Sequence, residues 1–306
     1  MTCTVASFYR FAELRDPGTR RASLLRVCEE ASLKGTILLA SEGVNGSIAG
    51  SKRAICTVLE HLRRWPGFET LEPRWSTAAQ VPFRRLKVRL KNEIVSLRRD
   101  DCDPLRAVGT YLSPSEWDDV IARDDVVTID TRNDYETSVG TFPGALRPPI
   151  GSFSDFPRWF EENRETFAEK RIAMFCTGGI RCEKATSWLI HQGYRDVLHL
   201  EGGVLAYLEQ VPAAKSSWQG ECYVFDGRVT LGHALEEGTY SSCGACGRPV
   251  DAAGRSHPDF EEGISCAACI AEYSASDRRR FAERHRQWKA RASEETERSG
   301  DHRGEE

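Results

Sequence analysis

The sequence predicts an α/β protein in three blocks, and three observations carry that reading. Short apolar runs alternate with helix-period segments over residues 1–100, and the alternation resumes over 110–212 with continuous β-branched strands. A late region, 220–290, gives up apolar residues and carries two Cys-x-x-Cys pairs. The charged remainder, 291–306, reads as a disordered tail.

In the first block, VASFY at 5–9 is a strand, and Ala22, Leu25, Cys28 and Ala31 recur behind it at helical spacing. TILLA at 36–40 and NGSI at 45–48 are two strands joined by a turn at 42–44. Ser51 is placed to N-cap a helix carrying Ile55, Val58, Leu59 and Leu62, which stops before Trp65-Pro66-Gly67. LKVRLK at 86–91 supplies the closing strand. The order βαββαβ is that of a small ferredoxin-like sandwich.

The second block opens with Ser113-Pro114-Ser115-Glu116, a capping box with proline in the first helical position, ahead of Trp117, Val120 and Ile121. Strand runs follow at 126–129, 172–175 and 197–200, with helical segments between them. Strands this uniformly apolar belong to a parallel sheet covered on both faces. AAKSSWQG at 213–220 reads as a linker.

Composition sets the function classes. The chain has 306 residues, 40% hydrophobic and 29% charged, with a formal net charge of −4. No apolar run reaches the length that spans a bilayer, so no membrane partner is expected. The N-terminus shows no basic stretch followed by an apolar one, and a cytoplasmic location is expected. Eleven cysteines in that setting point to reduced thiols used for metal or catalysis. No flavin or nicotinamide motif is visible.

CTGGIRCEKA at 176–185 concentrates the chemistry. Cys176 follows the carboxyl end of a strand, where open α/β sheets place their sites. Gly178 and Gly179 let successive amides of the loop 176–181 (Cys176, Thr177, Gly178, Gly179, Ile180, Arg181) turn inward, and the following helix adds its positive end. Such a cradle stabilises a thiolate and exposes a nucleophile at neutral pH, with Arg181 expected at the rim. Cys182 is expected in a supporting position with its thiol turned away from the cradle; a resolving role, through a disulfide with Cys176, is the alternative. Upstream, Asp130, Arg132 and Glu136 in DTRNDYE either hold a neighbouring loop by ion pairs or form a solvated loop.

The Cys loop and DTRNDYE resemble a rhodanese domain, in which a loop of this length is shorter than that of phosphatase relatives. EGVNGSIAG at 42–50, FRRLKVRLKNEIV at 83–95 and GHALEEGTYSSCGACGRPV at 232–250 extend the resemblance over nearly the whole chain. It is similar to the bacterial rhodanese-like tRNA uridine hydroxylases. The resemblance implies formation of 5-hydroxyuridine at wobble position 34, with molecular oxygen as co-substrate, tRNA as partner and Cys176 as the active-site cysteine. The electron donor is not identified. Two other functions stay open: a thiosulfate-type sulfurtransferase working through a Cys176 persulfide, and a non-catalytic tRNA-binding sensor. For hydroxylation, addition of the thiolate to uracil C6 is one route, with the Gly178 and Gly179 amides facing the enolate oxygen. Oxygen transfer from an oxidised or persulfidated Cys176 is the other.

Cys243, Cys246, Cys266 and Cys269 have the spacing of a structural zinc site; four reduced thiols are the alternative. Arg84, Arg85 and Lys87 crowd one strand and Arg278, Arg279 and Arg280 one late helix, so two basic stripes are expected to contact the anticodon arm of tRNA.

Overall fold

The computed structural model describes residues 2–301, which divide into two compact units, Met1–Gly238 and Thr239–Glu306. The first unit begins with β1 (Cys3–Phe11), α1 (Pro17–Glu30), β2 (Lys34–Ala40), β3 (Gly43–Gly50), α2 (Lys52–Arg63), β4 (Arg74–Ala78) and β5 (Leu86–Leu90). The five strands form one sheet in the order β4-β1-β3-β2-β5. Ser51 caps α2 as expected, its side chain accepting the Ala54 N–H at 3.2 Å. Ile55, Val58, Leu59 and Leu62 on that helix pack with Leu24 and Cys28 of α1 against Phe8, Ile37, Leu39 and Ile48 of the sheet. Each large apolar side chain buried this way contributes about 1.5–3 kcal/mol.

The ferredoxin-like class holds, but its closing strand is β4, antiparallel to β1, and not the stretch at 86–91. That stretch forms β5, an added edge strand parallel to β2. The sequence misleads here for a physical reason. RWSTA lies on a sheet edge with only Ala78 buried, so it lacks an apolar alternation, whereas LKVRL alternates fully.

The chain continues with β6 (Thr110–Leu112), α3 (Pro114–Ile121), β7 (Val126–Asp130), α4 (Asp134–Thr137), β8 (Gly140–Thr141), α5 (Phe156–Glu162), β9 (Arg171–Phe175), α6 (Ile180–His191), β10 (Val197–Leu200) and α7 (Gly203–Gln210). Strands β6-β10-β9-β7 form a wholly parallel sheet. The two faces bury different clusters. Trp117, Phe142, Phe175 and Tyr207 lie in one, while Ile172, Met174, Phe156, Phe160 and Trp188 lie in the other. Cys176 continues the alternation of Ile172 and Met174 and falls on the second face. Glu116 accepts the Ser113 N–H at 3.0 Å, as the capping box requires.

Residues 219–238 belong to this unit and not to the cysteine-rich block, correcting the boundary expected at 220. They form β11 (Gln219–Gly220), β12 (Cys222–Tyr223) and β13 (Thr230–Leu231), with β11 pairing β8. Trp218, Cys222, Val224, Leu231 and Leu235 complete the Trp117 cluster. Two-residue strands separated by turns carry no period for a sequence reading to detect.

The second unit holds β14 (Ser241–Ser242), β15 (Pro249–Val250), α8 (Ala252–Arg255) and α9 (Ala275–Asp301). The helix α9 runs through residues 291–301, where a disordered tail was expected; residues 302–306 lie outside those described. Among the described residues no helix is long and apolar enough to cross a membrane.

Candidate active site

The loop from Cys176 to Gly179 joins β9 to α6 at the carboxyl edge of the parallel sheet. Its shape depends on glycine at two places. Gly179 caps α6 at φ +99°, and a Cβ there would lie 2.8 Å from the Tyr9 hydroxyl. Gly203, at φ +64°, begins α7, and a Cβ on it would overlap the Cys176 carbonyl oxygen. That close approach lets Val204 and Leu205 donate their N–H groups to the Cys176 and Thr177 carbonyls at 2.9 and 3.0 Å. The loop therefore has its carbonyls satisfied from behind and its amides free to face the sulfur.

The Gly179 N–H donates to Cys176 Sγ at 3.1 Å, and the Cys182 amide adds a second backbone donor. Burial opposes ionisation of Cys176. The Cys182 thiol, the Arg181 guanidinium and the two amides outweigh it and bring the pKa down to about 5. These groups favour the thiolate form of Cys176, and the loop turns its amides toward the sulfur itself. The Gly179 amide is accordingly committed to sulfur, which removes it from the expected pair facing a substrate oxyanion.

Two expectations about this loop are corrected. Cys182 does not point away: its thiol hydrogen-bonds Cys176 and lies 3.6 Å from Thr131 Oγ1, and burial together with the adjacent sulfur pushes its own pKa well up. Arg181 is not at the rim. It is buried and makes a two-pronged ion pair with Glu136 at 2.6 and 2.7 Å. A helix of 3.6 residues per turn carries Arg181 and Cys182 inward, and that phase is invisible without the strand end that starts it.

Asp130, Arg132 and Glu136 are fully buried and ion-paired, so the solvated-loop alternative is excluded. Arg132 grips Asp130 through contacts of 2.8 and 2.6 Å and donates to the Gly140 carbonyl at 2.6 Å. Burial alone would raise the Glu136 pKa, but Arg181 and Arg132 hold it below the usual carboxylate range. Thr177 directs its hydroxyl toward Glu136 and the Tyr223 carbonyl, both at 3.4 Å. Gly178 has open space beside it, and Ile180 packs with Tyr9, Phe11 and Ile94.

Sequence reasoning missed a polar group that crosses from the first sheet to this loop. Tyr9 on β1 donates to Glu183 Oε1 at 2.7 Å, and the Tyr111 hydroxyl binds the same carboxyl. Burial exceeds the effect of both phenols and raises the Glu183 pKa. The Tyr111 ring lies 4.3 Å from that of His199, which burial keeps neutral with a pKa of about 4. Lys184, 2% exposed, binds Glu42 at 2.8 and 2.9 Å, Glu93 at 2.5 Å and the Val95 carbonyl at 3.0 Å. The residues stand in motifs quoted above, but separations of 142 and 91 positions hide the pairing.

In the second unit the four sulfurs of Cys243, Cys246, Cys266 and Cys269 lie within 4.8 Å of one another. The separations are 3.9 Å for Cys243–Cys269, 3.8 Å for Cys246–Cys266 and 3.6 Å for Cys266–Cys269. A tetrahedron with metal–sulfur bonds of about 2.3 Å has edges of about 3.8 Å, so the cluster fits zinc. Of the basic residues, Arg84 and Arg85 are exposed and Lys87 is half-buried on β5. On α9, Arg279 is exposed and Arg280 pairs with Asp277 at 2.9 Å. Arg278 instead donates to the Ile270 and Tyr273 carbonyls at 3.0 and 2.6 Å, a structural use that its sequence position does not reveal.

Comparison with known proteins agrees with this architecture. Residues 3–94 match the UPF0176 acylphosphatase like domain and residues 113–210 the Rhodanese-like domain. A Ruegeria pomeroyi protein named tRNA uridine(34) hydroxylase is 52% identical over 284 residues, covering 93% of this chain and 94% of its own. Proteins of the same name from Brucella anthropi and Roseobacter denitrificans are 49% and 46% identical. They cover 94% and 92% of this chain and 94% and 96% of their own. With that identity over almost its full length, the chain belongs to the tRNA uridine(34) hydroxylase family.

Proposed function

We propose that this chain hydroxylates uridine 34 of tRNA, giving 5-hydroxyuridine at the wobble position of the anticodon loop, with Cys176 as the catalytic nucleophile. The observation that carries the reading is the Cys176 sulfur at the carboxyl end of β9, accepting the Gly179 N–H at 3.1 Å, with the Cys182 thiol and the Arg181 charge beside it to favour the thiolate. Uracil C5 needs activation before it accepts oxygen. Addition of the thiolate to C6 forms an S–C6 bond and moves the C5=C6 electron pair into the C5–C4–O4 enolate. Once C5 carries its hydroxyl, loss of the C5 proton expels the thiolate and restores the ring.

Molecular oxygen is the co-substrate in this reading. One oxygen atom goes to C5 and the other leaves as water, so each turnover also takes two electrons and two protons from a reductant. Cys176 is only 1% exposed, so a uracil reaches the sulfur when the side chains over the loop, Tyr9 among them, move aside. A base in a loop can leave its stack to make that entry, whereas a paired base cannot at comparable cost. Acting on tRNA fits a cytoplasmic enzyme. Arg84, Arg85, Lys87 and Arg279 are the cations offered to its phosphates.

The cysteine cluster is proposed to bind zinc with no coordination position left for substrate. Of the residues it would join, Cys243, Cys266 and Cys269 are buried and Cys246 half-buried, in a unit whose other buried residues among those described are Val250, Ser265 and Phe281. Zinc there supplies folding energy that so small an apolar core does not.

The deciding experiment is mass spectrometry of wobble uridines from cells lacking the protein, complemented with wild type or Cys176→Ser under ¹⁸O₂. The reading requires labelled 5-hydroxyuridine with wild type and none with the variant. Unchanged modification in the deletion strain, with thiosulfate:cyanide sulfur transfer lost, would assign the chain to sulfurtransfer instead.

A further inference from the structure

Phe225 is 63% exposed, the most exposed of the large apolar side chains identified among the described residues. It stands beside Arg181, just past the Cys loop. The Arg181 guanidinium, whose N–H edge pairs with Glu136, lies 6.0 Å from its ring centre. Tyr223 lies edge-on to Phe225 at 5.3 Å, and Tyr135 lies edge-on to Tyr223 at 5.3 Å. The Tyr223 carbonyl accepts from Thr177 in the loop. Three rings therefore lie in a connected edge-on row beside the loop, which meets it through Thr177 at Tyr223 and Arg181 at Phe225.

The turn that carries Tyr223 and Phe225 is tied down by buried contacts. Asp226 and Arg228 form a buried two-pronged ion pair at 2.9 and 2.6 Å, and the Val224 N–H donates to the Val229 carbonyl at 2.8 Å across the turn. Arg228 also donates to Ser76 Oγ at 2.8 Å, and the Gly227 N–H donates to the Pro82 carbonyl at 2.8 Å. Fastening the turn to Pro82 sets it beside the segment that carries Arg84 and Arg85. An exposed aromatic ring on a turn fastened by this much buried structure, beside the Arg181 of the Cys loop and tied to Pro82 two residues before the exposed Arg84, has the features of a base-stacking platform bordered by phosphate contacts.

We propose that Tyr135, Tyr223 and Phe225 form a nucleobase-stacking platform that holds the unpaired anticodon-loop bases next to the uridine entering the Cys176 loop. This rests on the reading of the chain as a tRNA uridine hydroxylase. The occupant is single-stranded RNA because Thr177 and Arg181, at the loop that modifies one base, touch this row, and the bases next to that one must lie within one or two nucleotides of it. Stacking on a ring tolerates any base, so the platform fixes the position of the loop without reading its sequence.

The test uses the full-length protein and an anticodon stem–loop RNA with 2-aminopurine in place of the base 3′ to the target uridine. Phe225→Leu keeps an apolar side chain at an exposed position and removes only the ring. It is expected to lose the stacking change in 2-aminopurine fluorescence and to weaken RNA binding and raise KM about tenfold. The slope of log affinity against log salt stays at the wild-type value because no phosphate contact is removed, whereas neutralising Arg84, Arg85 and Lys87 lowers it. Phe225→Trp is expected to restore both affinity and the fluorescence change. Wild-type affinity and fluorescence in Phe225→Leu would overturn the platform and leave the patch to a protein partner. Wild-type stacking without any 5-hydroxyuridine would instead refute the hydroxylase reading and leave the platform standing.

Discussion

Arg181→Met separates the stability of a buried ion pair from its effect on the nucleophile. Arg181 and Glu136 meet through contacts of 2.6 and 2.7 Å, with side chains 8% and 0% exposed. Removing one partner of such a pair leaves a buried charge and costs about 3–5 kcal/mol. At about 2–4 °C per kcal/mol for a unit of this size, melting falls by about 10 °C. Replacing both partners, as Arg181→Met with Glu136→Leu, removes the stranded charge and is expected to return stability to within about 1 kcal/mol of wild type. The thiol behaves differently. Arg181 is among the groups that lower the Cys176 pKa to about 5, so Cys176 titrates at higher pH in the single and the double variant alike. The pH dependence of stability also changes. In wild type the Glu136 pKa is depressed, so its contribution is present above the unfolded value of about 4.3 and is lost as pH falls. In Arg181→Met the largest of the groups that lower it is gone while burial remains, so that acid-side loss of stability shrinks. Urea midpoints give the stability, and the thiolate absorbance of each variant minus its Cys176→Ser counterpart gives the titration. A double variant as unstable as the single one, or a Cys176 titration unmoved in both, would refute the reasoning.

Gly203→Ala places a Cβ against the Cys176 carbonyl at φ +64° and is expected to cost about 2–3 kcal/mol and most of kcat; wild-type melting and turnover would contradict the tight approach. Cys182→Ala removes a thiol donor to Cys176, so the acid limb of the kcat/KM profile moves to higher pH, and an unshifted profile would show that the contact has no effect on the thiolate. Cys246→Ser, or a strong chelator, is expected to abolish about one bound zinc per chain by elemental analysis and to expose the segment from Thr239 onward to protease, while the first unit melts as before. Tyr9→Phe removes a hydroxyl that lowers the Glu183 pKa, which therefore rises further and is checked by the pH dependence of turnover.

What the sequence made legible was local. Cys176, its two glycines and the helix after them occupy consecutive positions at a strand end, and the strand's uniform apolarity announces a covered parallel sheet. Ser51 and the buried stripe of α2 were legible for the same reason, as were the two Cys-x-x-Cys pairs, whose sulfurs the fold gathers as their spacing implies. What stayed hidden depends on pairings across long separations. Glu136 lies 45 positions from Arg181, and nothing local reveals that the arginine turns inward to meet it. The strand β4 escaped because an edge strand needs little apolar surface. The turn carrying Phe225 escaped because its neighbours are two-residue strands.

Lys184 explains why stretches far apart in the sequence form one motif set. It sits on α6, two residues past Cys182, and its ammonium is buried against Glu42 beside the β2–β3 turn and Glu93 beyond β5. A buried lysine with one carboxylate would still carry a large desolvation cost; two carboxylates and the Val95 carbonyl satisfy its three donors. The Glu93 pKa is correspondingly held low by this contact and by the Leu97 amide, despite burial that raises it. The first sheet is therefore fastened to the helix whose N-terminus forms the thiolate cradle, and Tyr9 on that sheet is brought to Gly179 and Glu183. A rhodanese loop alone supplies a reactive sulfur. The added sheet covers that sulfur and supplies the phenol beside it. Through Pro82 it also anchors the turn that carries Phe225. Charge, cover and aromatic row thus meet at one strand end because the buried ammonium of Lys184, the Tyr9–Glu183 bond and the Arg228–Ser76 and Gly227–Pro82 contacts together tie the first sheet to this loop.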